Sequence, residues 1–180
     1  AIHFKTNSQQ LRPLGRSTKG VKSMKLKGDD ELISMDIIPS QIVATIDTSV
    51  DDEDDDDSGE ELVDEAVDQG PWLLAITKNG YGKRVPIGKF RLQNRAGMGV
   101  RAIKFKSKDD RLVAIDIVNL EDELMIVTNR GIMIRQAVKA ISLQSRNATG
   151  VRVQRLDKDD AIAAVAPVPP LEEEGEETEE

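Results

Sequence analysis

Lysine and arginine recur in register along this chain. An Arg followed four residues later by Gly-Val occurs three times: Arg16 before Gly20-Val21, Arg95 before Gly99-Val100 and Arg146 before Gly150-Val151. Counted from each glycine, four positions are basic in every copy. Position −15 holds Lys5, Arg84 and Arg135, and position −4 holds Arg16, Arg95 and Arg146. Position +2 holds Lys22, Arg101 and Arg152, and position +5 holds Lys25, Lys104 and Arg155. These side chains carry N–H donors and no acceptor, so their chemistry is to neutralise and hydrogen-bond anions. Spaced evenly on repeated units, they form a basic band suited to a polyanion that follows the curve of the array. Duplex DNA fits, because its phosphates set affinity with little sequence information. A competing reading attaches most strongly to the −4 column, whose guanidinium groups could instead donate to strand or turn carbonyls between units.

Other candidate chemistry is sparse. His3 is the only histidine and there is no cysteine, so neither a histidine-based metal site nor a triad can be assembled. Tyr81 directly follows a turn glycine inside a repeat and reads as structural rather than as a nucleophile. Asp54, Asp56, Ser58 and Glu65 loosely follow a calcium-loop spacing, but Glu61 stands where a hydrophobe is expected, so a solvated acidic linker is the better reading. Gly80 and Gly82 suit a hairpin turn and are too few for a phosphate-binding loop. Aromatic residues make up 3% of the chain and mostly occupy apolar positions, which leaves no row of stacking platforms for single strands. No helix is indicated that could enter a major groove.

The elements that position the basic columns follow from aligning the repeats. The second and third superpose at a period of 51 residues. Leu73–Thr77 matches Leu124–Thr128 as an apolar run of strand length, and Lys78-Asn79-Gly80 matches Asn129-Arg130-Gly131 as turn chemistry tolerant of positive φ. A second strand is expected over Tyr81–Ile87, Ile132–Val138 and, in the first repeat, Ile2–Ser8. Beyond the Gly-Val pair, Met24 and Leu26 alternate with Lys25 and Lys27, and Ile103 and Phe105 with Lys104 and Lys106. That period of two predicts one buried and one wet face. Asp30, Asp110 and Asp160 then close a polar turn before Leu32-Ile33, Leu112-Val113 and Ile162-Ala163 begin a fourth strand. Each unit thus reads as a four-stranded antiparallel blade, and the fold class as all-β, an incomplete propeller-like array.

Charge divides the chain along the same lines. Residues 1–46 carry 7 basic and 4 acidic groups, residues 47–70 carry 13 acids and no base, residues 71–168 carry 18 basic and 9 acidic groups, and residues 169–180 carry 7 acids. The overall charge of −8 therefore describes neither the basic body nor its acidic segments. The expected organisation is a partial blade over 1–46, an acidic disordered insertion over 47–70, blades over 71–119 and 120–168, and an acidic disordered tail over 169–180. A tethered polyanion would compete with phosphate for the basic columns. No apolar run approaches membrane-span length. Because the first repeat opens partway through, the chain is expected to be part of a longer polypeptide.

Leu73-Leu-Ala-Ile-Thr-Lys-Asn-Gly-Tyr-Gly-Lys-Arg84, Gln93-Asn-Arg-Ala-Gly-Met-Gly-Val100 and Leu14-Gly-Arg-Ser-Thr-Lys-Gly-Val21 together resemble the C-terminal domain of the DNA gyrase A subunit. The resemblance covers all but the acidic segments. It implies a β-pinwheel that wraps duplex DNA on a basic rim in support of ATP-dependent negative supercoiling, of which this chain would be about the last three of six blades. The hallmark box of that family's first blade, Gln-Arg-Arg-Gly-Gly-Lys-Gly, survives only in degenerate form at Gln93–Gly99. The resemblance further implies an A2B2 assembly, in which the partners are the ATPase B subunit together with the remainder of the gyrase A polypeptide. It implies ATP and Mg2+ for the whole enzyme but no cofactor in this chain, no catalytic tyrosine here, and a cytoplasmic or plastid location. The C-terminal domain of topoisomerase IV is a close alternative. A propeller-like module docking an acidic protein is a more distant one.

Overall fold

The computed structural model describes residues 10–38 and 70–168. Lys5, His3, the strand expected over Ile2–Ser8, most of the acidic insertion with its calcium-like spacing, and the tail lie outside the described residues.

The second repeat supplies three strands, β1 (Trp72–Thr77), β2 (Tyr81–Pro86) and β3 (Leu112–Val118). The third supplies β4 (Glu123–Thr128), β5 (Met133–Ala137), a two-residue β6 (Val151–Arg152) and β7 (Ile162–Val168). Both hairpins turn where the Asn/Arg-Gly pairs stand, with Gly80 at φ 83° and Gly131 at φ 81°. That left-handed backbone is open to glycine at little steric cost. A 3-10 turn follows the second strand of each hairpin, at Ile87–Lys89 and Val138–Ala140, one repeat apart.

The aspartates expected to close a polar turn do more than that. Asp110 Oδ1 accepts the backbone N–H groups of Asn79 (3.0 Å) and Arg111 (2.9 Å). Asp160 Oδ1 accepts those of Arg130 (3.2 Å) and Ala161 (2.8 Å). Each carboxylate therefore ties the start of its last strand to the tip of its first hairpin. Satisfying turn N–H groups with a charged acceptor is a strong local interaction.

Sheet membership differs from the simple reading of one blade per repeat. The larger sheet runs β3-β1-β2-β6, all neighbours antiparallel, so its fourth strand comes from the following repeat. Tyr81 pairs with Arg152 and Gly82 with Val151. Upstream of β6 the third repeat also runs along β2: Arg84 N donates to Ser142 O and Gln144 N to Arg84 O, both at 2.9 Å. The smaller sheet runs β5-β4-β7, and β5 is its terminal strand among the described residues. The exchange accounts for the glycine at the zero position of the third repeat. A Cβ on Gly150 would lie 2.6 Å from Gly82 O, so strand and neighbour meet backbone to backbone.

One apolar core joins the two sheets. Trp72, Leu74, Ile76, Ala114 and Val118 pack with Leu124, Ile126, Val138, Ile141, Leu143 and Ile162. A smaller cluster of Val85, Phe90 and Ala102, flanked by Leu73, Val100 and Ile115, covers the other face of the larger sheet. Leu74, Ile76, Leu124 and Ile126 are fully buried, each contributing about 1.5–3 kcal/mol of apolar burial.

The alternation after Gly-Val is only half kept. Ile103 is buried, but Leu26 and Phe105 are exposed where the alternation predicts a core position. Leu156, their equivalent in the third repeat, does pack against the core, because its segment lies on the hairpin of the preceding repeat. Burial at this position is thus conferred by the neighbouring repeat and not by the strand's own alternation.

Candidate nucleic-acid interface

The four basic columns separate by what surrounds them. Positions +2 and +5 are exposed in every copy: Lys22 and Lys25, Arg101 and Lys104, Arg152 and Arg155. Each pair sits on the short segment following its Gly-Val; in the first and second repeats that segment is bound to the turn of the next repeat, and in the third it is bound to the hairpin of the preceding one through Val153 N to Gly80 O at 2.9 Å. Lys25 N donates to Gly97 O at 2.8 Å and Ala96 N to Ser23 O at 2.7 Å. One repeat further on, Lys104 N donates to Ala148 O at 3.2 Å. The exposed pairs are therefore carried by segments linked repeat to repeat through backbone hydrogen bonds.

The −4 arginines make those links and are only half-exposed in the second and third repeats. Arg95 donates from Nη1 to Lys22 O, and Arg146 donates from Nη1 to Arg101 O at 3.2 Å. In both, the guanidinium grips the carbonyl of the preceding +2 residue. This is the interblade role that the spacing left open. Arg16 is exposed.

The −15 column does not behave as a set. Arg84, expected on the basic band, is 1% exposed and so is withdrawn from it. The segment Ile141–Gln144 covers it. Its Nε donates to Ile141 O at 2.6 Å, and its guanidinium lies 5.1 Å from the centroid of the Trp72 ring. A buried arginine held this way cannot reach a phosphate. Arg135, its equivalent, remains exposed and donates from Nε to Glu123 Oε2. Glu123 occupies in the third repeat the place that Trp72 holds in the second.

A scan against protein families matches the model described as "DNA gyrase C-terminal domain, beta-propeller" at residues 4–39, 71–119 and 122–169. The chain belongs to that family. It is 65% identical over 177 residues to the DNA gyrase A subunit of Synechocystis, covering 97% of this chain and 21% of that protein. It is 38% identical over 172 residues to the chloroplastic/mitochondrial DNA gyrase A subunit of Arabidopsis thaliana, covering 91% and 17%. The chain thus spans about a fifth of the length of these relatives. Among solved structures, the DNA gyrase A C-terminal domain superposes with a TM-score of 0.50 at 30% identity, over 56% of this chain and 34% of that one.

Within this family member, two features of the site do not show in the four columns. Tyr81 lies between two cations: Lys106 Nζ is 4.8 Å and the Arg152 guanidinium 5.3 Å from its ring centroid. Arg152 Nη2 also donates to the Tyr81 hydroxyl at 2.9 Å. Hydrogen bonding from Lys106, then from Arg152, holds the phenol below its usual range. Pairing of β2 with β6 creates this cluster, so no single repeat encodes it.

The second is Lys83, fully buried beside Arg84. Its Nζ donates to Ser145 O (2.6 Å), Arg146 O and Ala148 O (both 2.7 Å). Burial lowers its pKa from 10.5 to about 7, and the nearby Arg146 charge acts in the same direction. Three short bonds to carbonyls match the three donors of an ammonium, which opposes that shift. The signal available in sequence was the mismatch at this position, where the other repeats carry Phe4 and Ile134.

Proposed function

We propose that this chain binds duplex DNA through its phosphates along the +2 and +5 columns, and bends the duplex as part of a gyrase A subunit. The observation that carries this reading is the run of Lys22, Lys25, Arg101, Lys104, Arg152 and Arg155, all exposed, on segments hydrogen-bonded from one repeat to the next. Cations on linked segments of a rigid β-array present themselves at a fixed step. A fixed step suits a backbone whose charges are themselves evenly spaced. Arg95 and Arg146 act from behind by holding the segments, Arg16 adds an exposed cation, and Arg135 lies on the β5 strand, where its Nε donates to Glu123. Lys5 is assigned to the band by its column alone.

Membership of the gyrase family and the Synechocystis and Arabidopsis relatives support a setting in a bacterial or plastid type II topoisomerase. There, ATP turnover and strand cleavage belong to other parts of the assembly, and DNA wrapped on this domain feeds negative supercoiling. The test is a salt titration of duplex binding by the intact polypeptide. Replacing Lys22, Arg101 and Arg152 together by Ala is expected to weaken binding to every sequence alike. The log-affinity against log-salt slope should become shallower by roughly 0.9 for each phosphate no longer neutralised. Unchanged affinity, or a loss confined to particular sequences, defeats the proposal.

A further inference from the structure

Lys83 does something that neither the core nor the basic band requires. A lysine fully withdrawn from solvent is costly unless every donor is satisfied, and hydrophobes hold the same place in the other two repeats. Its three acceptors all belong to one turn of the following repeat, Ser145–Ala148. That turn is also the piece that grips the exposed segment of the second repeat. The carbonyl of Ala148 accepts both Lys83 Nζ and Lys104 N, and Arg146, whose own carbonyl Lys83 holds, donates from its side chain to Arg101 O. One ammonium on β2 therefore fixes the turn through which the Arg101/Lys104 segment meets the third repeat. A few residues later the same chain runs into β6 and presents Arg152 and Arg155.

We propose that Lys83 is a positioning residue that sets the step between the Arg101/Lys104 and Arg152/Arg155 pairs, and with it the curvature imposed on a bound duplex, without touching the duplex. This rests on the DNA-binding reading above. At the junction of the first and second repeats, the corresponding turn is held by Arg95 and by the backbone bonds of Ser23 and Lys25. The two junctions would then differ in stiffness, the second being pinned from the sheet as well as from the segment.

The test separates grip from bend, using the intact polypeptide with Lys83→Ile, which copies Ile134, and Lys83→Met, which keeps the unbranched stem. Two duplexes are compared. One is about a helical turn long, too short for a bend to be followed along it. The other is about 40 base pairs, well below the persistence length and so straight unless bent by protein. Short-duplex affinity is expected to stay within about twofold of wild type, because the exposed cations are retained. On the long duplex, end-to-end energy transfer should report a smaller bend. Affinity there should fall by roughly three- to tenfold as cations and phosphates drop out of register.

An unchanged bend in a folded variant overturns the proposal. So does an equal loss on both duplexes, which would make Lys83 part of the grip. If Lys83→Ile loses the fold, as read by thermal melting and Trp72 fluorescence, Lys83→Met decides the matter. Loss of the fold there too makes the residue a core strut and nothing more. A wild-type protein that fails to bind either duplex defeats the DNA reading itself, an outcome distinct from all of these.

Discussion

The two described sheets come from aligned repeats of one pattern, yet among the described residues only the larger gains a strand from another repeat. In the larger sheet, the following repeat adds β6 beside β2, lays Ile141–Gln144 over Arg84, and brings Leu156 against the core. In the smaller sheet, β5 is the terminal strand among the described residues, Met133 on it is 63% exposed, and Arg135 faces Glu123 at the surface. The same column is thus a buried strut in one sheet and an exposed cation in the other. What a residue does in this array is decided by the repeat that docks on it.

The contrast between the sheets is sharpest at the hairpin glycines. Gly80 and Gly131 share φ within two degrees, so alanine meets a similar backbone penalty at both. They differ in what lies above them. A Cβ on Gly80 would overlap the carbonyl oxygen of Gln154 and meet Leu156 at 3.4 Å, whereas one on Gly131 meets nothing within 4 Å. Gly131→Ala should cost about 1–2 kcal/mol, the penalty for left-handed backbone. Gly80→Ala should cost at least about 3 kcal/mol, because the docked strand must move as well. Chemical denaturation checks this, and equal costs would mean that docking contributes little to stability.

The arginine column sharpens the same contrast. Arg84→Met leaves Ile141 O without its side-chain donor in a buried place and should cost about 2–3 kcal/mol. Arg135→Met removes a surface ion pair and should cost less than about 1 kcal/mol. Trp72, the only tryptophan and 4% exposed, provides a fluorescence reading of the first change, since Arg84 lies over its ring. Matching losses for the two variants would contradict the assignment of Arg84 as a strut.

Much of the fold was legible because it is local. In the second and third repeats, the apolar runs, the Asn/Arg-Gly turn chemistry and the Asp before the last strand are written within a few residues, and the hairpins and last strands fall where those signals stand, whereas the period-two runs at Met24–Lys27 and Ile103–Lys106 form no strand. Membership of sheets was not legible. Nothing within residues 71–119 says that Val151-Arg152 will complete their sheet, because strand exchange and in-blade closure satisfy the same backbone groups. The candidate site divided for the same reason. All four basic columns look alike in an alignment, and a guanidinium serves equally for a carbonyl or a phosphate. Only burial and partners tell Arg84, Arg95 and Arg146 from Arg101 and Arg152. Lys83 was the opposite case, a charged residue in an apolar column, whose partners lie some sixty residues away.

The smallest expected effect concerns Tyr81, against Ile132 at the same place in the other hairpin. Only the larger sheet has a β6, so only there does a +2 arginine lie across from this position. Tyr81 is the only tyrosine of the 180 residues, so phenolate absorbance titrates one group without ambiguity. Lys106 and then Arg152 stabilise the phenolate, which places the midpoint below the ordinary 10.0. Replacing Lys106 by Ala should raise it, and replacing Arg152 by Ala should raise it by less, following the order of the two hydrogen bonds. Bound duplex should raise it as well, if phosphate draws Arg152 away from the ring. The sign is what discriminates: a midpoint above 10.0 would mean that burial outweighs both cations, and a midpoint indifferent to Arg152 would mean that β6 does not hold its arginine against the ring in solution.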